Sequence, residues 1–309
     1  MAATPAAGFA EAPAARLEGQ PTSAPKPRFD LFSDGNPRNE ARLRARTRHI
    51  IDANRDAIDG KRVLDIAANN GRWSYAAVNA GARSVVSIEG RQQRVNDAHR
   101  FFDEIGVRDL IETNVGDMYE FLRDFRDDVR AGKAEGVDTV FCLGIYYHVM
   151  DHQGLLRAMT ALEPETVIID SGFVRSFRNS VHVQCENPNL HLNALAVYPG
   201  QKAEPVGFVS LGLMIQMAWN VGYRCTPVTW DPATLEDRSC VQDYMAGLRY
   251  TLRLDRMRGR EDADWKERWR GPLAALNPKF TNLLDKDTHD GAVDTRVTQP
   301  FKSMDFSIM

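Results

Sequence analysis

The sequence is short of several things at once. It has four cysteines in 309 residues, Cys142, Cys185, Cys225 and Cys240, and no two of them form a CxxC pair. That spacing excludes a disulfide framework and a structural zinc site, and it fits a reducing compartment. No run approaches the roughly 20 apolar residues needed to span a bilayer. Neither sign of charge dominates: 39 Lys and Arg stand against 42 Asp and Glu, a formal net charge of −3. There is no overall basic field to attract nucleic acid or an anionic membrane, although a local patch is compatible with this balance. The first residues lack a basic start followed by a continuous apolar core, so they do not read as a secretion signal. Residues 1–28, rich in Ala and Pro, are expected to form a disordered tail. These absences together point to a soluble, cytoplasmic protein.

What is present is an alternation. With 43% hydrophobic residues, the chain suffices for one large α/β domain with a modest appendage. Asn39 to Asp59 has helical spacing. Short apolar runs at KRVLDIA, SVVSIEG, DLIETNVGD, VDTVFCLG and ETVIIDS read as buried strands. Helices are expected between them, at Arg72–Ala80, Arg91–Gly106, Met118–Val129 and Gln153–Leu162. This rhythm predicts a Rossmann-like α/β fold: a seven-stranded, mostly parallel sheet with helices on both faces. A helix at Ser210–Val221 and strands at GYRCTPVTW and LRYTLRLDR complete the count, with the last strand antiparallel. Residues 173–208 break the rhythm with a long polar stretch, expected to be a lid inserted after the fifth strand. The domain spans 29–257, and 258–309 reads as a charged C-terminal extension.

The first strand-to-helix turn, VLDIAANNGRW, holds one glycine. Ala67 adds only a methyl where a ligand must come close, and asparagine is among the few residues that enter the left-handed region readily. Asn69 and Asn70 can therefore replace glycines, and Gly71 allows close approach at the helix start. Glu89 ends the second strand, where a carboxylate can accept hydrogen bonds from both hydroxyls of a ribose. Asp117 follows the third strand, where an acid can receive an adenine amino group with Met118 against the ring. Three acids on one rim, Asp65, Glu89 and Asp117, are hard to explain as solvated surface.

This pattern resembles the class I S-adenosylmethionine-dependent methyltransferases, most closely over Lys61–Asp170. The resemblance implies that Asp65 helps anchor the methionine ammonium, directly or through water, and that Ala67, Asn69 and Gly71 pass beside the methionine part. It implies that Glu89 holds the ribose with Gly90 also beside the cofactor, that Asp117 and Met118 hold the adenine, and that Leu143 and Gly144 flank the methionine part. The cofactor would be S-adenosyl-L-methionine and its product S-adenosyl-L-homocysteine. A dinucleotide oxidoreductase is the rival reading. It needs a turn with several free backbone N–H groups for a pyrophosphate, and Asp65 would oppose that charge.

CLGIYYHVMDH leaves the fourth strand at the same rim. His148 is the expected general base, since an imidazole can take a proton near neutral pH. His152 is expected to start the next helix with Asp151 as its N-cap. Tyr147, together with Arg175, Arg178, His182, Glu186, Asn187 and His191 of the insertion, is expected to bind the substrate. Arg175 and Arg178 would clamp a carboxylate or phosphate. The irregular spacing of the histidines argues against a metal. The expected reaction is methylation of an oxygen or nitrogen of a polar small molecule such as a sugar, an acid or a natural-product intermediate. An RNA methyltransferase is the second reading, with the basic helix Arg42, Arg44, Arg46 and Arg48 as its contact, but no aromatic residues interleave there as a stacking platform. A non-catalytic cofactor-binding protein is the third. No membrane partner is expected, and pairing of two copies as a homodimer stays open.

Overall fold

The computed structural model describes residues 36–190, 193–230, 235, 238–258 and 265–286. Seven strands make one sheet: β1 (Arg62–Ile66), β2 (Ser84–Glu89), β3 (Ile111–Val115), β4 (Thr139–Leu143), β5 (Thr166–Gly172), β8 (Tyr223–Pro227) and β9 (Arg249–Arg256). Their order is β3-β2-β1-β4-β5-β9-β8. The first five run parallel. β9 is antiparallel to both β5 and β8 and lies between them.

The central strands are buried on both faces, which is why they read as continuous apolar runs and not as alternating ones. One face packs on α1 (Pro37–Ile50), α2 (Arg72–Asn79) and α3 (Gln92–Ile105), through Ile50, Trp73, Phe101 and Phe102. The other packs on α4 (Met118–Arg130), α5 (His152–Thr160) and α6 (Leu211–Asn220), through Leu122, Leu156 and Met214. Side-chain caps set four of these starts: Asn36, Asp117, Asp151 and Ser210 each accept a backbone N–H group of the first turn. α3 ends where Gly106 takes φ 71°.

Three regions differ from the sequence expectation. The first helix stops at Ile50, not Asp59, and continues as a tighter 3-10 turn over Asp52–Ala57. The Asn54 side chain donates to the Ile50 carbonyl at 2.8 Å, competing with the helical ladder. The insertion is not structureless. It contains a hairpin of β6 (Val181–Glu186) and β7 (Glu204–Val209), antiparallel to each other and separate from the main sheet. Beyond Arg258 the chain supplies more than a polar tail. α8 (Trp265–Leu276) and α9 (Thr281–Lys286) bring Trp269, Leu273 and Leu284 fully into the core, and the Trp269 indole donates to the Cys225 carbonyl at 3.1 Å. A short α7 (Gln242–Met245) precedes β9. Among the described residues no helix is long and apolar enough to cross a membrane. The tail expected at residues 1–28 lies outside the described residues.

Candidate functional site

The first turn bends through two left-handed non-glycine residues, Ala67 and Asn69, each with φ 53°, followed by Gly71 with φ 74°. Asn69 does take the glycine-like conformation, whereas Asn70 does not. Ala67 is the strained member, since a Cβ in this region costs roughly 1–2 kcal/mol. Gly71 serves packing: a Cβ there would collide with the Phe102 ring of α3. The turn is tied to the neighbouring strand by Glu89. Its Oε2 accepts the Asn69 N–H at 2.8 Å and its Oε1 accepts the Arg91 N–H at 2.9 Å.

Ala67, Glu89 and Arg91 wall a cavity of about 570 Å³ at the carboxyl ends of β1, β2, β3 and β4, whereas Asn69 and Gly71, expected beside the cofactor, do not line it. Ala67, Glu89, Gly90, Asp117 and Met118 line one side. Asp117 uses Oδ1 to cap α4, accepting from Tyr119 and Glu120 at 2.8 and 3.0 Å. The opposite side is built from the insertion, Asn193 to Val197 with Glu204, and from Ile145, His148, Val149 and Met150 after β4. A carboxylate beside small residues and apolar Ile88 and Met118 fits a ribose with a flat base. Leu195 lies against Gly90, in space that a Cβ would occupy. Arg91, which sequence reasoning passed over, donates to the Asn193 carbonyl at 2.9 Å and holds that segment over the cavity.

Asp65 is not on the cavity wall. It is 1% exposed beneath the turn, where Ser74 Oγ donates to it at 2.7 Å. Burial pushes its pKa up to about 7, more than Ser74 offsets. Leu143 faces the core beside Phe141. Gly144 sits at φ 89° next to Arg249 and also does not line the cavity.

His148 does line it. The side chain is 7% exposed, and Nδ1 lies 2.7 Å from Glu186 Oε2 on β6. The same Oε2 accepts the Ala194 N–H at 3.0 Å. Burial lowers the His148 pKa, against the raising effect of Glu186, so the imidazole is neutral near pH 7. With Nδ1–H donated to the carboxylate, Nε2 carries the lone pair. Glu186, expected to touch substrate, is thus the partner that orients His148. Tyr147 is its neighbour, with ring centroids 4.1 Å apart, and stacks on Phe208 of β7. His152 opens α5 as expected, under the Asp151 cap, and its Nε2 pairs with the Gly207 carbonyl at 2.8 Å.

The remaining insertion residues do not converge on the cavity. Arg175 donates to the Ala246 carbonyl at 2.6 Å, with its guanidinium 4.4 Å from the Phe280 ring centroid. Arg178 and His182 are exposed and away from the cavity lining. Asn187 shapes its own loop, accepting from Asn189 and Asn193. His191 lies outside the described residues. The basic helix is partly an internal brace: Arg42 pairs with both oxygens of Asp243 at 2.7 and 2.6 Å, and Arg46 reaches Asp170 at 2.8 Å. Among the described residues no cluster of three His, Cys, Asp or Glu is placed to hold a metal.

No family model matches the chain. Among curated proteins it is 29% identical over 120 residues to the tRNA U34 carboxymethyltransferase of Cellvibrio japonicus, covering 35% of this chain and 33% of that protein. It is 28% identical over 121 residues to the ubiquinone biosynthesis O-methyltransferase of Actinobacillus pleuropneumoniae, covering 38% of this chain and 48% of that one. The chain thus spans between a third and a half of the length of these relatives. Among solved structures it resembles the N-terminal domain of EvdMO1 with S-adenosylhomocysteine and D-fucose, at 18% identity and TM-score 0.49, over 73% of this chain and 85% of that one. It also resembles the magnesium protoporphyrin IX methyltransferase of Synechocystis with S-adenosylhomocysteine bound, at 13% identity and TM-score 0.46, over 73% and 91%. Its central parallel strands, with an antiparallel β9 slotted between β5 and β8, make a Rossmann-like α/β sheet, and the two curated relatives are named as a carboxymethyltransferase and a methyltransferase.

Proposed function

We propose that this protein transfers a methyl group from S-adenosylmethionine to an oxygen or nitrogen of a polar small molecule. The observation that carries this reading is the buried His148–Glu186 pair on one wall of a cavity whose other wall holds Glu89 and Asp117. The cofactor would supply a methyl group already activated on a sulfonium. Glu89 would accept from the ribose hydroxyls and Asp117 from the adenine amino group, with Met118 against the ring. Asp65, beneath the turn, would act on the methionine ammonium through Ser74 or water and not by direct contact.

Held there, the cofactor would give its methyl group to the acceptor's lone pair, with the electrons of the carbon–sulfur bond left on sulfur. The acceptor's proton goes to Nε2 of His148, which Glu186 holds in the required tautomer. The segment Asn193–Val197 keeps bulk water out and gives the site its acceptor preference.

A second reading, methylation of RNA, is favoured by the relatives named as tRNA-modifying enzymes. The same base would serve a nucleoside. Against it, Arg42 and Arg46 are engaged within the fold.

The test is methyl transfer from labelled S-adenosylmethionine to a panel of sugars, hydroxy acids, amines and bulk tRNA. Product with small acceptors, reduced at least tenfold by His148→Ala, is expected. Product with tRNA alone, with affinity falling steeply as salt rises, would favour the second reading. No product with any acceptor, despite cofactor binding, would leave a non-catalytic binder.

A further inference from the structure

The two walls of the cavity are joined by a continuous run of contacts. It starts at Glu89, whose Oε1 accepts the Arg91 N–H at 2.9 Å and lies 3.8 Å from the Arg91 guanidinium. Arg91 Nη2 donates to the Asn193 carbonyl at 2.9 Å. The next amide, that of Ala194, donates to Glu186 Oε2 at 3.0 Å. The same oxygen stands 2.7 Å from His148 Nδ1. Asn193 is also fixed from the other side, because its Nδ2 donates at 3.0 Å to the carbonyl of Asn187, directly after β6. Leu195 then closes over Gly90. Glu89, Arg91, Asn193, Ala194 and His148 all line the cavity, whereas Glu186 does not. The strap therefore lies between the Arg91 side chain and the carboxylate that orients the base.

Electrostatics join the same two residues. The charged groups acting on the imidazole are Glu186 from β6, Arg249 from β9 and Arg91 from the start of α3. Glu89, Asp117, Tyr119 and Glu204 line the same cavity, and the Tyr147 phenol ring packs beside His148 on its own turn. Burial does most to lower the His148 pKa, Glu186 opposes it, and Arg249 and Arg91 lower it further. Removing Arg91 would act three times in one direction. A cation near the imidazole is lost. The Ala194 N–H is no longer held on Glu186, whose oxygen is then left to the imidazolium alone. Water reaches the ring as the strap loosens, and the burial penalty shrinks. Each of these favours the protonated ring, which cannot accept a proton.

We propose that Arg91 is a positioning residue for His148, acting through the strap at Asn193 and Ala194 and through the Glu186 carboxylate. Its use in catalysis rests on the methyltransferase reading; the positioning itself does not. An arginine suits this place because its planar fork reaches the Asn193 carbonyl while its charge stays beside Glu89. The wall that carries the proposed ribose acceptor and the wall that carries the base are thereby held in one arrangement.

The test uses the full chain as wild type, Arg91→Gln and Arg91→Lys, without cofactor and with circular dichroism as the folding control. The histidine rings carry carbon-13, and the signal lost in His148→Gln identifies His148 among the seven histidines. The first readout is the pH midpoint of the His148 signal. The second is hydrogen exchange of the amides of residues 193–197. Arg91→Gln should raise the midpoint by about 0.5 to 1 pH unit. It should also speed exchange of the strap by about tenfold. Arg91→Lys keeps the charge but not the fork, so it should loosen the strap and raise the midpoint by a smaller step. A loosened strap with the His148 midpoint unmoved in Arg91→Gln overturns the proposal. A raised midpoint with unchanged strap exchange also overturns it, since Arg91 would then act as a distant charge alone. Where an acceptor is turned over, the acid limb of kcat should move to higher pH in Arg91→Gln; a lower kcat with the limb in place would leave Arg91 a merely structural part and overturn the proposal. A chain that shows both cofactor-free effects yet binds no S-adenosylhomocysteine keeps the positioning role and defeats the methyltransferase reading.

Discussion

Asp65 makes the folded protein less stable as pH rises, and the size of that effect follows from its surroundings. It is 1% exposed, with one side-chain donor, Ser74 Oγ at 2.7 Å. Burial raises its pKa from 3.8 to about 7. An acid whose folded pKa is raised holds its proton more tightly when folded. Its burial is therefore nearly free of penalty below the unfolded value, and the penalty grows as pH rises towards the folded one. Each unit is about 1.4 kcal/mol, so three units amount to an upper bound of about 4 kcal/mol above neutral pH. Asparagine cannot ionise and still offers Ser74 an acceptor. Asp65→Asn should therefore stabilise the cofactor-free protein by about 2–4 kcal/mol near pH 8, and this gain should shrink steadily as pH falls towards 5. Urea unfolding followed by circular dichroism at several pH values measures it. The same variant should bind S-adenosylhomocysteine more weakly, because the ammonium loses its counter-charge. A gain that is absent at pH 8, or equal at every pH, would refute the burial argument.

Other perturbations have equally definite outcomes. Glu89→Ala removes the partner of two turn N–H groups and the proposed ribose acceptor, and should weaken S-adenosylhomocysteine binding by about 1–3 kcal/mol in calorimetry; unchanged affinity would put the ribose elsewhere. Because burial lowers the His148 pKa below 6.5, kcat should be flat above pH 6.5 and fall on acidification as the imidazole gains a proton; a rate that falls on raising the pH instead would rule out His148 as the base. His49 is stacked 3.7 Å from Trp230 with its pKa lowered by burial to about 3, so its share of stability is present above pH 6.5 and lost as pH falls from there towards 3. His49→Phe should therefore make the urea midpoint less sensitive to acid between pH 7 and 5, and an unchanged acid sensitivity would mean that His49 is not the group responsible. Ala67→Gly relieves a left-handed Cβ and should change stability by less than about 1 kcal/mol in the favourable direction, since glycine's greater unfolded-state freedom offsets part of the relief; a clear loss of stability would show that Ala67 is not strained.

The sheet was legible because each central strand is buried on both faces and each crossover helix carries its own start or stop residue. Glu89, Asp117 and His148 were legible for a related reason: strand ends in a parallel sheet share one rim, so order along the chain predicts neighbours in space. Asp65 was legible as a strand-end acid but not in its direction, because a strand end fixes only a position, and this side chain turns under the helix to Ser74. The hairpin was hidden in the insertion although Val181, Val183 and Cys185 alternate with His182, Gln184 and Glu186. An exposed two-stranded ribbon has no apolar face strong enough to stand out from a polar loop. The convergence of Arg46 and Arg249 on Asp170 joins residues 124 and 79 positions apart, and no local pattern encodes such a contact.

The cavity walled by Glu89, Asp117 and the insertion is tested most directly by titrating the full chain in a calorimeter with S-adenosylhomocysteine and, separately, with NAD. Saturable binding of S-adenosylhomocysteine with no heat from NAD is the predicted result. Binding of NAD without S-adenosylhomocysteine would contradict it, and would return the single-glycine turn to the dinucleotide reading that Asp65 argued against.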